Sequence, residues 1–245
     1  MADRYVLLRM MASAIAGRHG AYACFMPKPF GDRTGSGAHF NMSLADARTG
    51  EPLFAADDDP RACGLSGLGY QFLAGILNHL PAIVATVAPT VNSYKRLVKQ
   101  GSMSGFTWAP IFACYGDNNR TNAMRIPKGG GRVELRAADS ACNPYLGAAM
   151  CLAAGLEGIR EGLDPGEPNT DNMYLISDAE REKRGIKRLP RTLDEAVRAF
   201  KDDPLSSEVF GEAMFASWVD FKEQEWLSYL NHVSDWEMKR YLRFF

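Results

Sequence analysis

A chain of 245 residues that is 46% hydrophobic and 23% charged can bury a core, as one large domain or two small ones. Its formal net charge of −1 excludes a global positive field that would attract nucleic acid or a membrane surface, so anion binding must depend on locally placed arginines. The sequence shows no apolar run near the ~18 residues of a membrane span and no secretory signal pattern, so we expect a cytoplasmic protein without a nucleic-acid or membrane partner.

Hydrophobic spacing and turn residues predict helices and strands through the first two thirds of the chain. In order, these are a helix over 3–18, a strand over 21–26, a glycine-rich turn over 31–37, a strand over 38–44, a long helix over 65–88, strands over 120–126 and 131–136, and a helix over 144–161. Pro81 should break or kink the long helix, because proline removes a backbone hydrogen bond. Asn143 followed by Pro144 is a typical helix start.

The remainder of the chain, residues 164–245, combines proline-marked loops with helical patterns. Thr192 and Glu195 have the spacing of a capping box before one such pattern. Six apolar residues recur at roughly helical spacing and are predicted to be core rather than a cofactor site: Phe215, Trp218, Val219, Phe221, Trp226 and Leu230. The scattered cysteines, without a Cys-x-x-Cys pair, are predicted to be buried thiols in a reducing compartment: Cys24, Cys63, Cys114, Cys142 and Cys151.

Two of the predicted strands carry polar side chains on one face, because side chains alternate along a strand. These residues are His39, Asn41 and Ser43 in the first strand and Arg132, Glu134 and Arg136 in the second. A carboxylate between two guanidinium groups is suited to holding a metal cation and oxyanions together. The alternative for the second strand is a solvated face with ion pairs, each of which stabilises the fold by about 0–1 kcal/mol. The alternative for His39 is an ordinary structural role.

Basic residues are concentrated between residues 95 and 136: Lys95, Arg96, Arg120, Arg125, Lys128, Arg132 and Arg136. The guanidinium fork matches carboxylate and phosphate oxygens, so this concentration predicts an anion site. Arg120 and Arg125 are five residues apart, which on an ideal strand places them on opposite faces. If both meet one anion, a turn or bulge must lie between them, near Thr121-Asn122. The turn over 31–37 matches neither the dinucleotide nor the Walker pattern.

These segments together resemble the glutamine synthetase family, whose motifs occur here in the family's order. They are Lys28-Pro29, Gly35-Ser36-Gly37-Ala38-His39, Ser43-Leu44, Asn92 to Val98, Asn119-Arg120-Thr121, Arg125-Ile126-Pro127, Arg132 to Arg136 and Asp139 to Tyr145. The agreement covers most of residues 21–163. The segments Gly105 to Pro110 and Tyr115 to Arg120 look most like the type III branch, which lies near enzymes that join glutamate to methylamine or other amines.

The resemblance implies an α+β fold with a curved, mainly antiparallel sheet backed by helices. We expect the sheet to hold 21–26, 38–44, 120–126 and 131–136, with the helices 3–18, 65–88 and 144–161 behind it. His39 and Glu134 should then lie on the same concave face. Residues 1–245 would be the C-terminal portion of the family's catalytic domain, without its N-terminal β-grasp domain.

The resemblance also implies a reaction in which ATP phosphorylates the side-chain carboxylate of glutamate and ammonia or a small amine displaces phosphate, with Mg²⁺ or Mn²⁺ as cofactor. The resemblance implies that His39 and Glu134 are metal ligands and that Gly35, Arg96 and Arg136 bind glutamate. It implies that Arg120 and Arg125 are catalytic residues that hold the phosphate groups. Nucleotide binding is implied for Asn41, Ser43, Arg125 and Arg132. A homo-oligomer is expected of the full-length form.

The chain departs from the family at four points. Asn41 stands where many members have a second histidine, and Thr34 where many have asparagine. Trp108 takes the place of an acidic residue that helps remove a proton from ammonium, which favours a methylated or larger amine. The family's upstream segment, which carries most of its glutamate metal ligands, has no counterpart here, so only His39 and Glu134 remain.

These departures leave alternatives to an active ligase. The chain would be a truncated, non-catalytic remnant or one half of a split enzyme, and we expect the pure chain to show no turnover and weak nucleotide binding at most. A kinase-like nucleotide-binding module without ligase activity lacks a Walker or kinase motif. Tyr174 lies near the position where some bacterial members carry a modified tyrosine, although an ordinary loop tyrosine is the expectation.

Overall fold

The structure, a computed structural model, describes residues 1–99 and 107–245. Its helices are α1 (Ala2–Arg18), α2 (Gly67–Val87), α3 (Pro144–Arg160), α4 (Asp178–Lys183), α5 (Leu193–Asp202), α6 (Pro204–Phe210), α7 (Glu212–Leu230) and α8 (Asp235–Tyr241). Its strands are β1 (Phe40–Met42), β2 (Phe112–Ala113), β3 (Tyr115–Asp117), β4 (Met124–Ile126), β5 (Val133–Leu135) and β6 (Lys187–Arg188). Gly105 and Phe106, part of a motif named above, lie outside the described residues.

Four short strands form one mixed sheet in the order β1-β5-β4-β3. Strand β5 pairs antiparallel with β1 on one side and with β4 on the other, while β4 pairs parallel with β3. This register places Glu134 directly opposite both Asn41 and Arg125. Strands β2 and β6 form a separate antiparallel pair. The α+β prediction is confirmed, and two of the three pairings in the main sheet are antiparallel.

The predicted strand over 21–26 is wrong. These residues pair with no strand in the described part of the chain, and most of them are exposed, Tyr22 almost completely. Strand propensity is realised only where a neighbouring strand takes up the backbone hydrogen bonds and a core covers one face. The predicted strand over 38–44 is confirmed but reduced to Phe40–Met42. Strand β3 was not predicted, because three residues show too little alternation to be recognised.

Helices α2 and α3 share one hydrophobic core with the inner face of the sheet. The two helices contact each other through glycines: a side chain at Gly75 would meet the Ala154 carbonyl oxygen, and one at Gly158 would meet the Gln71 carbonyl oxygen. Their backbones therefore approach more closely than helices with larger side chains at the contact. This packing fixes α3 behind the strands that carry the polar site residues.

Helix α2 is continuous across Pro81, so the predicted break is absent. Both halves of the helix are buried, and this packing offsets the hydrogen bond that proline removes. By length and composition, α2 is also long and apolar enough to span a membrane. The sequence had shown no apolar run of that length. Its apolar window is 78% buried inside the protein, a pattern that the core helix of a soluble protein also shows.

Helix α1 forms where the sequence predicts it, but none of its residues is buried. Leu7 and Met10 are exposed, so the expected apolar face does not pack on the sheet. The helix instead contacts α3 and the Ser140 carbonyl oxygen, which accepts a hydrogen bond from the Tyr5 hydroxyl at 3.0 Å. Of the predicted buried thiols, Cys24 is exposed and the other four are buried.

The C-terminal helices pack around one aromatic side chain. Phe200 of α5 contacts the rings of Phe210, Phe215 and Trp218 at centroid distances between 4.5 and 5.5 Å. The predicted core role of the α7 stripe is thus confirmed for its first part and for Trp226, which packs on the same core. It is wrong for Phe221 and Leu230, which are exposed.

A buried histidine joins three helical segments. His79 of α2 places Nδ1 2.8 Å from Asp203 Oδ2, at the junction of α5 and α6, and Nε2 3.2 Å from Glu157 Oε2 of α3. The hydrogen bond to Asp203 raises the pKa of His79, and it outweighs the opposing effect of burial. The charged imidazolium therefore stabilises the packing of α2, α3 and the C-terminal helices.

We predict that this cluster makes folding stability depend on pH. Because the pKa of His79 is higher in the folded state, its contribution is fully present below the unfolded value near ~6.5 and is lost as pH rises through the folded value. At pH 6, His79→Gln should lower the free energy of unfolding by about 1.5–3 kcal/mol. Urea denaturation from pH 5.5 to 9 measures this. An identical pH slope for wild type and His79→Gln would contradict the prediction.

Candidate functional site

The site is built around Glu134, a buried carboxylate in the middle strand β5. His39 Nδ1 lies 2.8 Å and Arg136 Nη1 3.0 Å from its Oε1, and Arg125 Nη1 contacts its Oε2. These residues come from three neighbouring strands or their ends, so the sheet register brings them together. The prediction that His39 and Glu134 lie on the same face is confirmed by their direct contact.

The charges around Glu134 decide its protonation state. Burial would raise its pKa, but the hydrogen bond from His39 and the charges of Arg136 and Arg125 outweigh that effect and lower it. The carboxylate is therefore ionised at neutral pH, with one oxygen shared by His39 and Arg136 and the other facing Arg125. This network has two guanidinium groups for one carboxylate, so it carries excess positive charge.

Arg136 is held by backbone as well as by Glu134. Its Nε donates to the Arg120 carbonyl oxygen at 3.1 Å, and its Nη2 donates to the Trp108 carbonyl oxygen at 3.3 Å. Burial lowers the pKa of Arg136, but a guanidinium stays charged at any physiological pH. Its orientation is thus fixed before any ligand is present.

Arg96 is a second buried guanidinium in the site. It donates to the Ala137 carbonyl oxygen at 2.8 Å and to the Arg136 carbonyl oxygen at 3.1 Å. Burial lowers the pKa of Arg96, and the charge of Asp139 partly offsets that effect. No carboxylate of the described residues lies within ion-pair distance of Arg96, so part of its charge is available to an anion.

The glycine-rich turn packs directly against Arg96. A side chain at Gly35 would meet the Pro27 carbonyl oxygen and, at 3.1 Å, the Arg96 Cγ. A side chain at Gly37 would come within 3.0 Å of His39 Nε2 and 3.1 Å of Arg96 Nη2. Sequence reasoning singled out Gly35 but gave no role to Gly37, although Gly37 is the glycine that faces both His39 and the guanidinium.

The remaining predicted residues lie at the rim, with exposed side chains. Arg132 Nε is 3.3 Å from Asn41 Oδ1, Ser43 follows β1, and Arg120 contributes its carbonyl oxygen to the Arg136 contacts. The expected turn between Arg120 and Arg125 is confirmed, since residues 120–123 form a turn and bend before β4 begins. A cavity of about 510 Å³ runs along β1, and its lining includes His39, Asn41 and Ser43.

The donor set does not fit a divalent cation held by this chain alone. Among the residues that the structure describes, no group of three or more His, Cys, Asp or Glu side chains is placed to hold a metal. Residues 100–106 contain none of these residue types. His39 and Glu134 offer two donors, whereas Mg²⁺ and Mn²⁺ prefer about six, mostly oxygen. The site as a whole fits an anion better than a cation. Its arginines Arg96, Arg120 and Arg132 form no ion pair with a described acid, so their positive charge is not neutralised.

Trp108 borders the site next to Arg136. Its backbone has a left-handed φ of 57°, and half of its side chain is exposed. Its ring lies edge-on to Tyr174, with centroids 6.5 Å apart. Tyr174 is fully buried, and its hydroxyl donates to the Ala109 carbonyl oxygen at 2.6 Å. A buried hydroxyl is poorly placed for covalent modification, which favours an ordinary structural tyrosine.

Comparison with known proteins identifies relatives over almost the whole chain. A family model described as glutamine synthetase, catalytic domain, matches residues 1–241. A glutamate–methylamine ligase of Methyloversatilis universalis is 45% identical over 243 residues, and a glutamine synthetase of Halobacterium salinarum is 40% identical over 247. These alignments cover 99% and 100% of this chain but 54% and 52% of the relatives, so the chain spans about half their length.

Solved structures agree with the sequence relatives. A structure described as a GmaS/ADP complex superposes with a TM-score of 0.88 at 42% identity, covering 99% of this chain and 54% of the other. A ligand-free GmaS structure superposes with a TM-score of 0.84 at 41% identity, covering 98% and 53%. Identity above 40% with such scores shows a shared fold over the described part of the chain.

Proposed function

This chain belongs to the glutamine synthetase family, and we propose that its protein is an ATP-dependent ligase that joins ammonia or a small amine to the side-chain carboxylate of glutamate through a γ-glutamyl phosphate. One observation carries the proposal. The ionised Glu134 contacts His39, Arg125 and Arg136, so two guanidinium groups surround one carboxylate and leave excess positive charge. Such a site suits a reaction between two anionic substrates.

We assign the residues by their position around Glu134. Arg96 and Arg136, the two buried guanidinium groups, would bind the carboxylates of glutamate, with the backbone at Gly35 beside Arg96. Arg125 and Arg120 would hold the phosphate oxygens. At the exposed rim, Asn41, Ser43 and Arg132 would contact the nucleotide. Phosphoryl transfer depends chiefly on positioning and on positive charge at the oxygens, which arginines supply.

Divalent cations, Mg²⁺ or Mn²⁺, are part of the proposal because ATP-dependent phosphoryl transfer generally uses them to neutralise charge. His39 and Glu134 are the donors that this chain would contribute. Two donors do not define a coordination sphere, so further ligands would have to come from substrate, water or another polypeptide. A cytoplasmic homo-oligomer stays a prediction, as does the assignment of the chain to the C-terminal portion of a catalytic domain.

Two amines are compatible with the site. Trp108, whose carbonyl oxygen accepts from Arg136, carries a half-exposed apolar ring at this edge of the site, which favours a methylated amine over ammonium. The glutamate–methylamine ligase relative supports the same choice, while the glutamine synthetase relatives support ammonia. We propose methylamine as the preferred amine and ammonia as the alternative.

A second candidate is a chain that binds substrates without turning them over by itself, as a remnant or as half of a split enzyme. The incomplete metal donor set favours it. The substrate-binding arginines all lie in this chain, so binding and catalysis can be separated experimentally.

The test combines turnover and binding on the pure 245-residue chain. We predict no glutamate-dependent phosphate release from ATP with Mg²⁺ or Mn²⁺ and either amine. We also predict weak, saturable binding of glutamate and of ADP, measured by NMR shifts of site residues. Amine-dependent turnover would support the ligase and eliminate the non-catalytic candidate. The absence of saturable shifts with glutamate would overturn the proposed function, whatever the result with ADP.

A further inference from the structure

The orientation of Arg136 depends on two backbone carbonyl groups, those of Arg120 and Trp108. Neither carbonyl belongs to a strand or helix. The first lies in the turn before β4, and the second lies in the irregular segment before β2, at a residue with a left-handed φ. Regular sheet hydrogen bonding therefore fixes neither acceptor, and something else must hold both in place.

The turn with Arg120 is tied from behind to the segment 169–174, which we call the backing segment. Asn119 Nδ2 donates to the carbonyl oxygens of Asn169 at 3.1 Å and Asp171 at 2.8 Å. The backbone N–H of Met173 donates to Thr121 Oγ1 at 3.0 Å, and that hydroxyl donates to Asn119 Oδ1 at 2.7 Å. Thr121 and Met173 are buried, so water does not compete for the hydrogen bond between them.

The same backing segment holds the Trp108 carbonyl. Tyr174, its last residue, is fully buried and donates its hydroxyl to the Ala109 carbonyl oxygen at 2.6 Å. Its ring also packs edge-on against the Trp108 ring. One six-residue segment thus anchors both loops whose carbonyl groups hold the Arg136 guanidinium.

We propose that the backing segment is the positioning element for Arg136, and that Thr121 and Tyr174 are positioning residues that set the direction of its free N–H groups. They touch no substrate. They act by holding the Arg120 and Trp108 carbonyl oxygens where they accept from Nε and Nη2. The inference deepens the proposed function, because Arg136 is there assigned to a glutamate carboxylate.

The test uses single-atom changes with a matched control. Tyr174→Phe removes only the hydroxyl, which reaches the Ala109 carbonyl oxygen and the Thr107 side chain, and Thr121→Val replaces only the hydroxyl that reaches Met173 and Asn119. Tyr115→Phe is the control. The Tyr115 side chain is equally buried, and its hydroxyl donates to another loop carbonyl, that of Gly166 at 2.5 Å, which does not touch Arg136.

The first readout needs no substrate. Hydrogen exchange of the Arg136 Nε–H, followed by NMR in the ligand-free chain, should be about fivefold faster in Tyr174→Phe and Thr121→Val than in wild type, and unchanged in Tyr115→Phe. Unchanged exchange in both test variants, or equal acceleration in the control, would overturn the inference. If one test variant fails to fold, the other decides.

The second readout connects the inference to the proposed function. Tyr174→Phe should weaken glutamate binding about fivefold and leave ADP binding unchanged. If the Tyr174 hydroxyl only stabilised the fold, its loss would weaken the binding of both ligands or of neither. Tyr174→Phe would then bind glutamate and ADP as Tyr115→Phe does. If the wild-type chain binds no glutamate, the proposed function fails while the exchange experiment still decides the role of the backing segment.

Discussion

Replacing Glu134 by alanine should lower the free energy of unfolding by about 3–5 kcal/mol, because it leaves buried guanidinium groups without their counter-charge. Arg136 would lose its only ion pair and keep two carbonyl acceptors, and Arg125 would lose its only carboxylate partner among the described residues. Urea denaturation at pH 7 measures the effect. Few single substitutions in this chain should cost as much.

Two controls separate charge from shape and burial. Glu134→Gln keeps the side-chain volume and one carbonyl acceptor but removes the charge. Its free energy of unfolding should therefore lie between those of wild type and Glu134→Ala. Glu208→Ala removes an exposed helical carboxylate without an ion pair and should change stability by less than about 0.5 kcal/mol. A loss for Glu134→Ala no larger than that for Glu208→Ala would mean that the network around Glu134 does not stabilise the fold.

The same substitution should change the acid limb of the stability profile. The pKa of Glu134 is lowered in the folded state, so its contribution is present above the unfolded value near ~4.3 and disappears as pH falls. Wild type should therefore lose more stability than Glu134→Ala between pH 7 and pH 3. The two groups therefore respond to pH in opposite directions. The stabilising contribution of Glu134 is lost as pH falls, and that of His79 is lost as pH rises.

The centre of the site was predictable because strand alternation is a strict geometric rule. The patterns around His39 and around Glu134 each placed polar residues on one face, and only the pairing of β1 with β5 was needed to bring the two residues into contact. The turn that separates Arg120 from Arg125 followed from the same rule, since their odd spacing required an interruption of the strand.

Other features could not be predicted, because they depend on partners rather than on local pattern. Within residues 1–99 and 107–245, no strand lies beside residues 21–26 despite their strand propensity, and the apolar side chains of α1 are not buried. The carbonyl acceptors at Arg120 and Trp108 carry no sequence signal, since every residue has a carbonyl group. Gly37 was visible only as one glycine among several until its contacts with His39 and Arg96 were known.

The division of labour between Arg136 and Arg125 gives the sharpest test of the proposed roles. Arg136→Ala should weaken glutamate binding about 30-fold or more, because it removes a buried charge-assisted contact and leaves the ligand carboxylate unpaired. Its effect on ADP binding should stay within about threefold, the size expected of an indirect change. Arg125→Ala should show the opposite order, because Arg125 is assigned to the phosphate oxygens.

The two variants control for each other, because each removes one guanidinium from Glu134 and should destabilise the fold comparably. General loosening of the site would therefore affect both variants and both ligands alike, whereas the assigned roles require a crossover between them. Arg132→Ala adds a control at the rim of the site. Its exposed side chain hydrogen-bonds to Asn41, and its removal should weaken ADP binding slightly and leave glutamate binding unchanged. NMR titrations of the three folded variants with glutamate and with ADP give a dissociation constant for each variant and ligand. Equal losses for both ligands in both variants would reject the assignment, because a shared loss reflects the Glu134 network rather than contact with either substrate.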